Sequence, residues 1–383
     1  MEKAEQIVSA LRAVVPKYGL INIAFDGNDT DGIASGRNLR VLIEYLNREA
    51  ELQEHPTGFL EESKAFSDKD ALVIAGDTFV PSKYMGDAAG KVDQTIVFDH
   101  HSDCSELNEE LKDLGIDNLL YYSPTLFSDN EGNINLKFPA GMFIGFLANV
   151  AGIDTPYIKL NMALSLAGDK SYDAWPEFIK NCGYDIENLK EASDRIDLML
   201  AAGSDNIPLV DEFLESFEGN NETARAALEE KSRFNEALEP IKGARDMLVE
   251  DAKDPLYSFK CEDKRDINSD EVIIYEVGDD STKGFNILKS TVNKLQDDGY
   301  SLVFMEDRKG KLKISTRGQD AHLSDLMLEI YNDKKGKCFA ELGMRKPGGN
   351  SNAGAGVFYD GIGYETTKKL FLEKFTRIAN IIS

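Results

Sequence analysis

Several things are scarce in this sequence, and each scarcity excludes something. Cysteine occurs four times in 383 residues, as Cys104, Cys182, Cys261 and Cys338. They are widely spaced with no C-x-x-C pair, which argues against a zinc ribbon or a disulfide framework and suits a reducing, cytoplasmic setting. Long apolar runs are missing. The most apolar stretch, residues 138–153, contains Pro139 and Asn149 and is too short to span a bilayer, so it reads as a core helix and no membrane is expected. The opening MEKAEQIVSALRAVVPKYG carries a helical pattern but no long apolar h-region, so no signal peptide is expected. Positive charge is short, with 43 Lys and Arg against 68 Asp and Glu and a net charge of −25. Such a chain has no global attraction for nucleic acid or an anionic membrane. Most of this acidity reads as solvated surface. A polyanion would have to be held by a local basic cleft or by metal ions. Repeats and low-complexity segments are also absent.

The length calls for two or three domains. Residues 2–16 read as an amphipathic helix through Ile7, Leu11, Val14 and Val15. Apolar runs at 20–25, 71–77, 95–101 and 118–123 read as strands, with helices expected at 33–46, 138–153, 156–168 and 174–181. Strands alternating with helices imply βαβ units and a mostly parallel sheet over residues 1–184. Residues 185–254 show helical periodicity without a strand signal, broken at Gly219-Asn220-Asn221, and read as a helical connector. Strands return at 271–277, 300–306 and 311–316, with helices near 283–297, 321–332 and 364–381. Residues 255–383 are therefore expected to form a second, smaller α/β domain.

Histidine is scarce too, at four residues, yet His100 and His101 are adjacent in FDHHSD at the end of an apolar run. In an open parallel sheet, ligands bind beyond the carboxyl ends of the strands. The unusual residues cluster there. Asp26, Asp29 and Asp31 follow the first strand, Asp77 the second, and Asp99, His100 and His101 the third. LSLAGDKSYD adds Asp169 and Asp173 at a helix end. Any one aspartate in a βα loop reads first as a helix N-cap, and a lone histidine reads first as structural. Four segments delivering acids or imidazoles to one edge is a different matter. Close carboxylates repel unless positive charge sits among them, and a divalent metal is the simplest source. Carboxylates with one or two imidazoles suit manganese or magnesium. Two such ions can clamp an in-line displacement at phosphorus, with one imidazole for metal and one for substrate.

With these motifs in this order the chain resembles the DHH phosphoesterases, named for the tripeptide found here as Asp99-His100-His101. NDTDGIAS (28–35) resembles the first motif, D-x-D-G-x-x-S. Asp77 fits the second, FDHH the third, and ALSLAGD (163–169) the fourth. KISTRG (313–318) with RKPGGNSNAGAG (345–356) resembles the DHH-associated domain, so the likeness spans nearly the whole chain. Among branches it looks most like RecJ-type exonucleases, especially the archaeal group that includes the GINS-associated nuclease. SPTLFSDNEG…FPAGMF (123–143) is similar to the corresponding segment there.

The resemblance implies a DHH domain, a helical connector and a DHH-associated domain. It implies two Mn²⁺ ions, with Mg²⁺ as the other candidate. Asp29 and Asp31 would each bind one ion and Asp77 would bridge. His100 and Asp169 would complete the second set, with Asp173 as the fallback for Asp169. His101 would contact the phosphate, and Asp99 would support the cluster from behind. Arg317, Gly348, Gly349 and Asn350 would grip substrate phosphates, with Arg37 and Arg40 as further basic candidates. Two positions depart from the family pattern. Phe25 and Gly27 stand where a histidine or acid usually precedes the D-x-D, leaving Asp26 as the available ligand, and Asn350 replaces a histidine. The implied function is a metal-dependent exonuclease on single-stranded DNA or RNA. The alternatives are a small-oligonucleotide or cyclic-dinucleotide phosphodiesterase, and a replication scaffold of low or no activity that partners GINS and the MCM helicase.

Overall fold

The structure is a computed structural model. It describes residues 2–57, 60, 63–78, 88–101, 104–127, 138–253, 257–259, 271–277, 287–298, 300–307, 311–317, 348–350 and 353–359, with backbone and register alone for the strands after 254. The chain divides into two compact units, residues 1–238 and 239–383. The fold is mixed α/β.

The first unit opens with helix α1 (Glu2–Val14), whose Ile7, Val8 and Leu11 are buried. Strand β1 (Leu20–Asp26) carries five consecutive buried residues. Helix α2 (Thr30–Leu46) and strand β2 (Glu51–Thr57) follow. Then come β3 (Leu72–Gly76), β4 (Gln94–Phe98), α3 (Cys104–Asp113) and β5 (Leu119–Tyr122). The strands run parallel in the order β2-β1-β3-β4-β5. Strands buried on both faces are mostly apolar rather than alternating, as β1, β3 and β4 are, with Asn22 and Thr95 as buried polar exceptions. Val73, Ala75, Val97 and Tyr121 join Leu107 and Leu111 of α3 in one core. Helices α2 and α4 (Ala140–Ala151) cover the opposite face, where a Cβ on Gly76 would lie 3.0 Å from Leu39 and Ile144.

The register decides where the site forms. Phe25 pairs with Gly76, Gly76 with Phe98, and Phe98 with Tyr122. The next residues, Asp26, Asp77 and Asp99, therefore stand at one level at the carboxyl edge, with Asp26 still paired to Thr57 of β2. The amide of Asp77 donates to the Phe98 carbonyl at 2.9 Å, and that of Asp99 to the Tyr122 carbonyl at 3.0 Å.

Strand β2 is the element that periodicity does not announce. Its sequence ELQEHPT is polar, half-exposed and contains a proline, all of which an edge strand tolerates and a central strand does not. The helix expected at 174–181 is a 3₁₀ turn at Tyr172–Ala174 followed by α6 (Pro176–Cys182), because Pro176 takes the first helical turn. Before it, α5 (Pro156–Gly168) ends at Asp169. The segment read as a connector is helical: α7 (Ile186–Ala201), α8 (Ile207–Phe217), α9 (Asn221–Glu229) and α10 (Arg233–Ala252). Asn220 caps α9 in a reciprocal capping box with Thr223, which explains the break there. Phe213 stacks on Phe234 at 4.3 Å, closing the turn between α8 and α10. Helix α7 packs along α5, so this region joins the first unit from its start.

In the second unit β6 (Tyr257–Phe259), β7 (Glu271–Val277), β8 (Tyr300–Asp307), β9 (Lys311–Arg317), β10 (Gly348–Asn350) and β11 (Ala353–Tyr359) form one sheet in the order β10-β11-β9-β8-β7-β6. Only the β7–β8 pair is parallel among these, and α11 (Leu288–Asp297) makes its crossover. The helix expected near 283–297 begins at Leu288 among the described residues. Those expected at 321–332 and 364–381 lie outside them. No helix among the described residues is long and apolar enough to cross a membrane.

Candidate metal centre

The loops beyond β1, β3 and β4 and the end of α5 bring four side chains to one buried point. His100 lies at the centre. Its Nε2 is 3.5 Å from Asp77 Oδ1 and 3.8 Å from Asp31 Oδ2, and its Nδ1 is 3.4 Å from Asp169 Oδ2. Donor atoms of Asp31, His100 and Asp169 form one compact set, and those of Asp77, His100 and His101 another. The two sets share a single imidazole.

Each carboxylate is held in its own way. Asp31, on the first turn of α2, faces the N-terminus of α4. It accepts from the amides of Ala140 (3.0 Å) and Gly141 (2.9 Å) and from the Ser165 hydroxyl (2.5 Å). Ser165 Oγ in turn accepts from the amide of Met142 at 2.9 Å, so α4, α5 and α2 meet at this one carboxylate. A helix N-terminus is a natural seat for negative charge. Asp77 adopts φ +53, a left-handed backbone that aspartate tolerates better than most residues. Its Oδ1 is buried and has no hydrogen-bond partner at bonding geometry among the described residues. Asp169 caps the C-terminus of α5, and the following Lys170 also has positive φ, at +52. Strained backbone on both sides of one cluster is the pattern of a functional site.

The second histidine is built differently. Its Nδ1 lies 2.7 Å from Asp99 Oδ1, so Nδ1–H donates to the carboxylate and Nε2 is the ring nitrogen that Asp99 does not engage. Asp99 is fully buried and its Oδ2 accepts from the Tyr121 hydroxyl at 2.7 Å. The His101 side chain is 32% exposed against 6% for His100. One imidazole is enclosed by carboxylates, and the other is an oriented group at the rim.

The electrostatics follow from burial. Desolvation, with the charges of Asp77 and Asp169, pushes Asp31 well above the usual carboxylate range. Desolvation likewise raises Asp77 to about 6, against the lowering pull of His100. Burial opposes charge on both imidazoles. The surrounding carboxylates nonetheless hold His100 well above its ordinary value, and Asp99 holds His101 at about 9. Burial would raise Asp99, but His101 outweighs it and the carboxylate is lowered. Three carboxylates thus converge on one imidazole, and burial resists the charged form of Asp31 and Asp77. That convergence, the orphaned Asp77 Oδ1 and a donor set of oxygens with imidazole all fit a divalent cation of the magnesium or manganese kind.

The other residues singled out from the sequence occupy several places. Asp29 is the N-cap of α2 and accepts from the Gly32 amide at 2.9 Å. It lies near enough to raise Asp77, yet it belongs to neither compact set. Asp26 Oδ1 accepts from the amide (2.9 Å) and side chain (2.6 Å) of Asn28 and shapes the loop. A Cβ at Gly27 would come 2.7 Å from Pro56 Cβ on β2, so this backbone runs where a side chain cannot. Asp173 is exposed in the 3₁₀ turn. Arg37 is largely buried and paired with Asp211 of α8, and Arg40 pairs with Glu44 and Glu54. In the second sheet Arg317 is opposite Ala353, and Ala353 opposite Asn350, so these strand positions share one row. Gly348 and Gly349 continue β10 beside it.

Sequence reasoning did not find Tyr121, Ser165 or the amides of Ala140 and Gly141. Tyr121 carried a faint signal, as a polar-tipped residue on the strand beside the Asp-His-His strand. The amides carried none, because any residue supplies one.

No protein-family model matches the sequence, and no curated protein matches it. Solved structures do match in shape. A DHH domain described as belonging to a family of ribosomal proteins aligns over 98% of this chain and 90% of its own, with TM-score 0.64 and 17% identity. RecJ from Thermus thermophilus, in complex with Mg²⁺, aligns over all of this chain with TM-score 0.55 and 15% identity. This chain spans 53% of that protein, about half its length. An exonuclease RecJ bound to manganese aligns over 98% of this chain and 94% of its own, with TM-score 0.51 and 15% identity. The chain has a DHH-type, RecJ-like fold.

Proposed function

We propose that this protein is a metal-dependent phosphodiesterase that removes nucleotides from an end of single-stranded DNA or RNA. The observation that carries the reading is the convergence of three carboxylates, Asp31, Asp77 and Asp169, on the single imidazole of His100. Those four residues would hold the metal, with Asp29 at the neighbouring loop. A bound Mn²⁺ or Mg²⁺ supplies Lewis acidity and a water ionised near neutral pH. The RecJ structures of like fold contain these two ions.

The chain's own groups supply the rest. Asp99 fixes the His101 ring, and the Tyr121 hydroxyl fixes Asp99. His101 Nε2–H would then serve as a cationic donor to a phosphoryl oxygen, and the Nδ1–Asp99 bond keeps the ring cationic at neutral pH. The left-handed turn at Asp77 aims its carboxylate inward from the strand end. Arg317 and Asn350, on one row of the second sheet, are the candidates to bind substrate phosphates, and the Gly348-Gly349 backbone can approach them closely. With a net charge of −25, binding must be local, so a substrate with a free, flexible end suits the protein better than a long duplex.

End-labelled single-stranded DNA and RNA, incubated with Mn²⁺, test this directly. Stepwise shortening by wild type, lost in Asp77→Ala, is the expected result, and the labelled end then reports polarity. If folded wild type cleaves neither polymer nor dinucleotides with Mn²⁺ or Mg²⁺, the enzyme reading falls.

A further inference from the structure

The first turn of α2, with Asp29 as its N-cap and Asp31 within it, is held from outside the sheet. Thr30, between them, donates its amide to Asp197 Oδ1 at 2.8 Å and its hydroxyl to the same oxygen at 2.7 Å. The Thr30 hydroxyl also lies 3.1 Å from the Ser193 carbonyl and 3.2 Å from the Ser193 hydroxyl. Thr30, Ser193 and Asp197 are all buried. Ser193 and Asp197 are one turn apart on α7, so both face the same neighbour. The end of α5 enters the same junction. A Cβ on Gly168 would lie 3.0 Å from Thr30 Cβ and 3.2 Å from the Asp31 amide, so only glycine lets the residue before Asp169 sit there without displacing its neighbours.

We infer that Ser193 and Asp197 are positioning residues for the metal centre, and that α7 is a working part of that centre rather than a spacer. The inference rests on the metal-site reading above. Asp31 and Asp169 come from elements far apart in sequence, yet both must face His100. The bracket from α7 to Thr30 holds the α2 turn, and the Gly168 contact ties the α5 end to the same turn. One buried carboxylate on α7 thus sets where two others point. Asp197 also takes the Thr30 amide, which no residue inside α2 can accept, while Asp29 takes the Gly32 amide. Partners behind a ligand typically change metal affinity ~10–100-fold when removed.

The test is a Mn²⁺ titration of the full chain, with free Mn²⁺ read by electron paramagnetic resonance and metal-free Tm measured in parallel. Asp197→Ala and the isosteric Thr30→Val are expected to weaken binding ~10–100-fold. Thr30→Ser, which keeps the hydroxyl, should recover most of what Thr30→Val loses. Leu189→Ala, a buried change elsewhere on α7, should lower Tm yet keep the affinity. The inference is overturned if Asp197→Ala and Thr30→Val bind as wild type does, or if Leu189→Ala loses as much affinity as they do. A wild type with no saturable binding of Mn²⁺ or Mg²⁺ removes the metal-site reading itself, and the inference with it.

Discussion

The two sheets gather their candidate residues in opposite ways. The first is parallel, so every strand delivers its carboxyl end to the same edge. Asp77 and His100 meet there because each crossover returns the chain to the same side, while Asp169 reaches that edge from the end of a helix packed beside the sheet. The second is mostly antiparallel and gathers by register, with Arg317, Ala353 and Asn350 sharing a row across adjacent strands. Parallel topology makes a deep, charged, desolvated point. Antiparallel pairing makes a flat row of positions. The first arrangement suits chemistry and the second suits grip, and four experiments can break or sharpen that contrast.

The largest effect belongs to the first sheet. Asp77→Ala should lower kcat on single-stranded substrate by about 10³-fold or more, ~4 kcal/mol of barrier, with Mn²⁺ binding lost in parallel titrations. Unchanged kcat would remove the buried ring from the chemistry.

Next comes the cost of that ring without metal. Asp77 is raised from 3.8 to about 6 in the fold, so its ionisation destabilises the metal-free protein. The sign follows from proton binding: below pH 3.8 the carboxyl is protonated folded or unfolded, and no penalty exists. Above about pH 6 the penalty is complete, at ~3 kcal/mol as an upper figure. Chemical denaturation in chelator should therefore show Asp77→Asn more stable than wild type at pH 7–8, with the gap closing towards pH 4. Saturating Mn²⁺ should reverse the order. Equal stability at both pH values would mean that the carboxylate is not strained by its surroundings.

The second sheet should behave differently. Arg317→Ala is expected to raise KM by ~10–30-fold with kcat and Mn²⁺ affinity near wild type, the signature of binding lost equally from ground and transition states. A kcat loss at constant KM would move Arg317 into the chemistry and erase the contrast between the sheets. The smallest effect is expected from Tyr121→Phe. It removes one hydrogen bond to Asp99 and so costs ~1 kcal/mol, about fivefold in kcat, with Mn²⁺ affinity unchanged because His101 and not His100 is loosened.

Much of the first sheet could be read from residues alone. A doubly buried parallel strand must be largely apolar, so LINIAF, LVIAG and QTIVF announce themselves despite Asn22, Gln94 and Thr95. Strand β2 does not, because an edge strand is under no such demand. The gathering of Asp31, Asp77, His100 and His101 was also readable, since strand ends in a parallel sheet converge by topology, whereas Asp169 joins them from a helix end. The expectation of one imidazole for metal and one for substrate was readable too. The packing that sets one ring among carboxylates and holds the other on Asp99 was not. The binding candidate Arg37 shows the same limit. Its position near the first motif is a property of sequence, but its burial against Asp211 is a property of packing.

By itself, then, the sequence determined the fold class and the strand ends that carry acids. Hydrophobic period and residue chemistry are local, and they survive in a one-dimensional string. The tertiary structure alone decided which groups hold the carboxylates: the α4 amides and Ser165 on Asp31, Tyr121 on Asp99, and Asp197 behind Thr30. Those bonds link residues from 22 to 167 positions apart, and backbone amides carry no residue identity. Only close packing brings such partners into hydrogen-bond reach and shuts water out, and that exclusion is what gives the buried charges their effect.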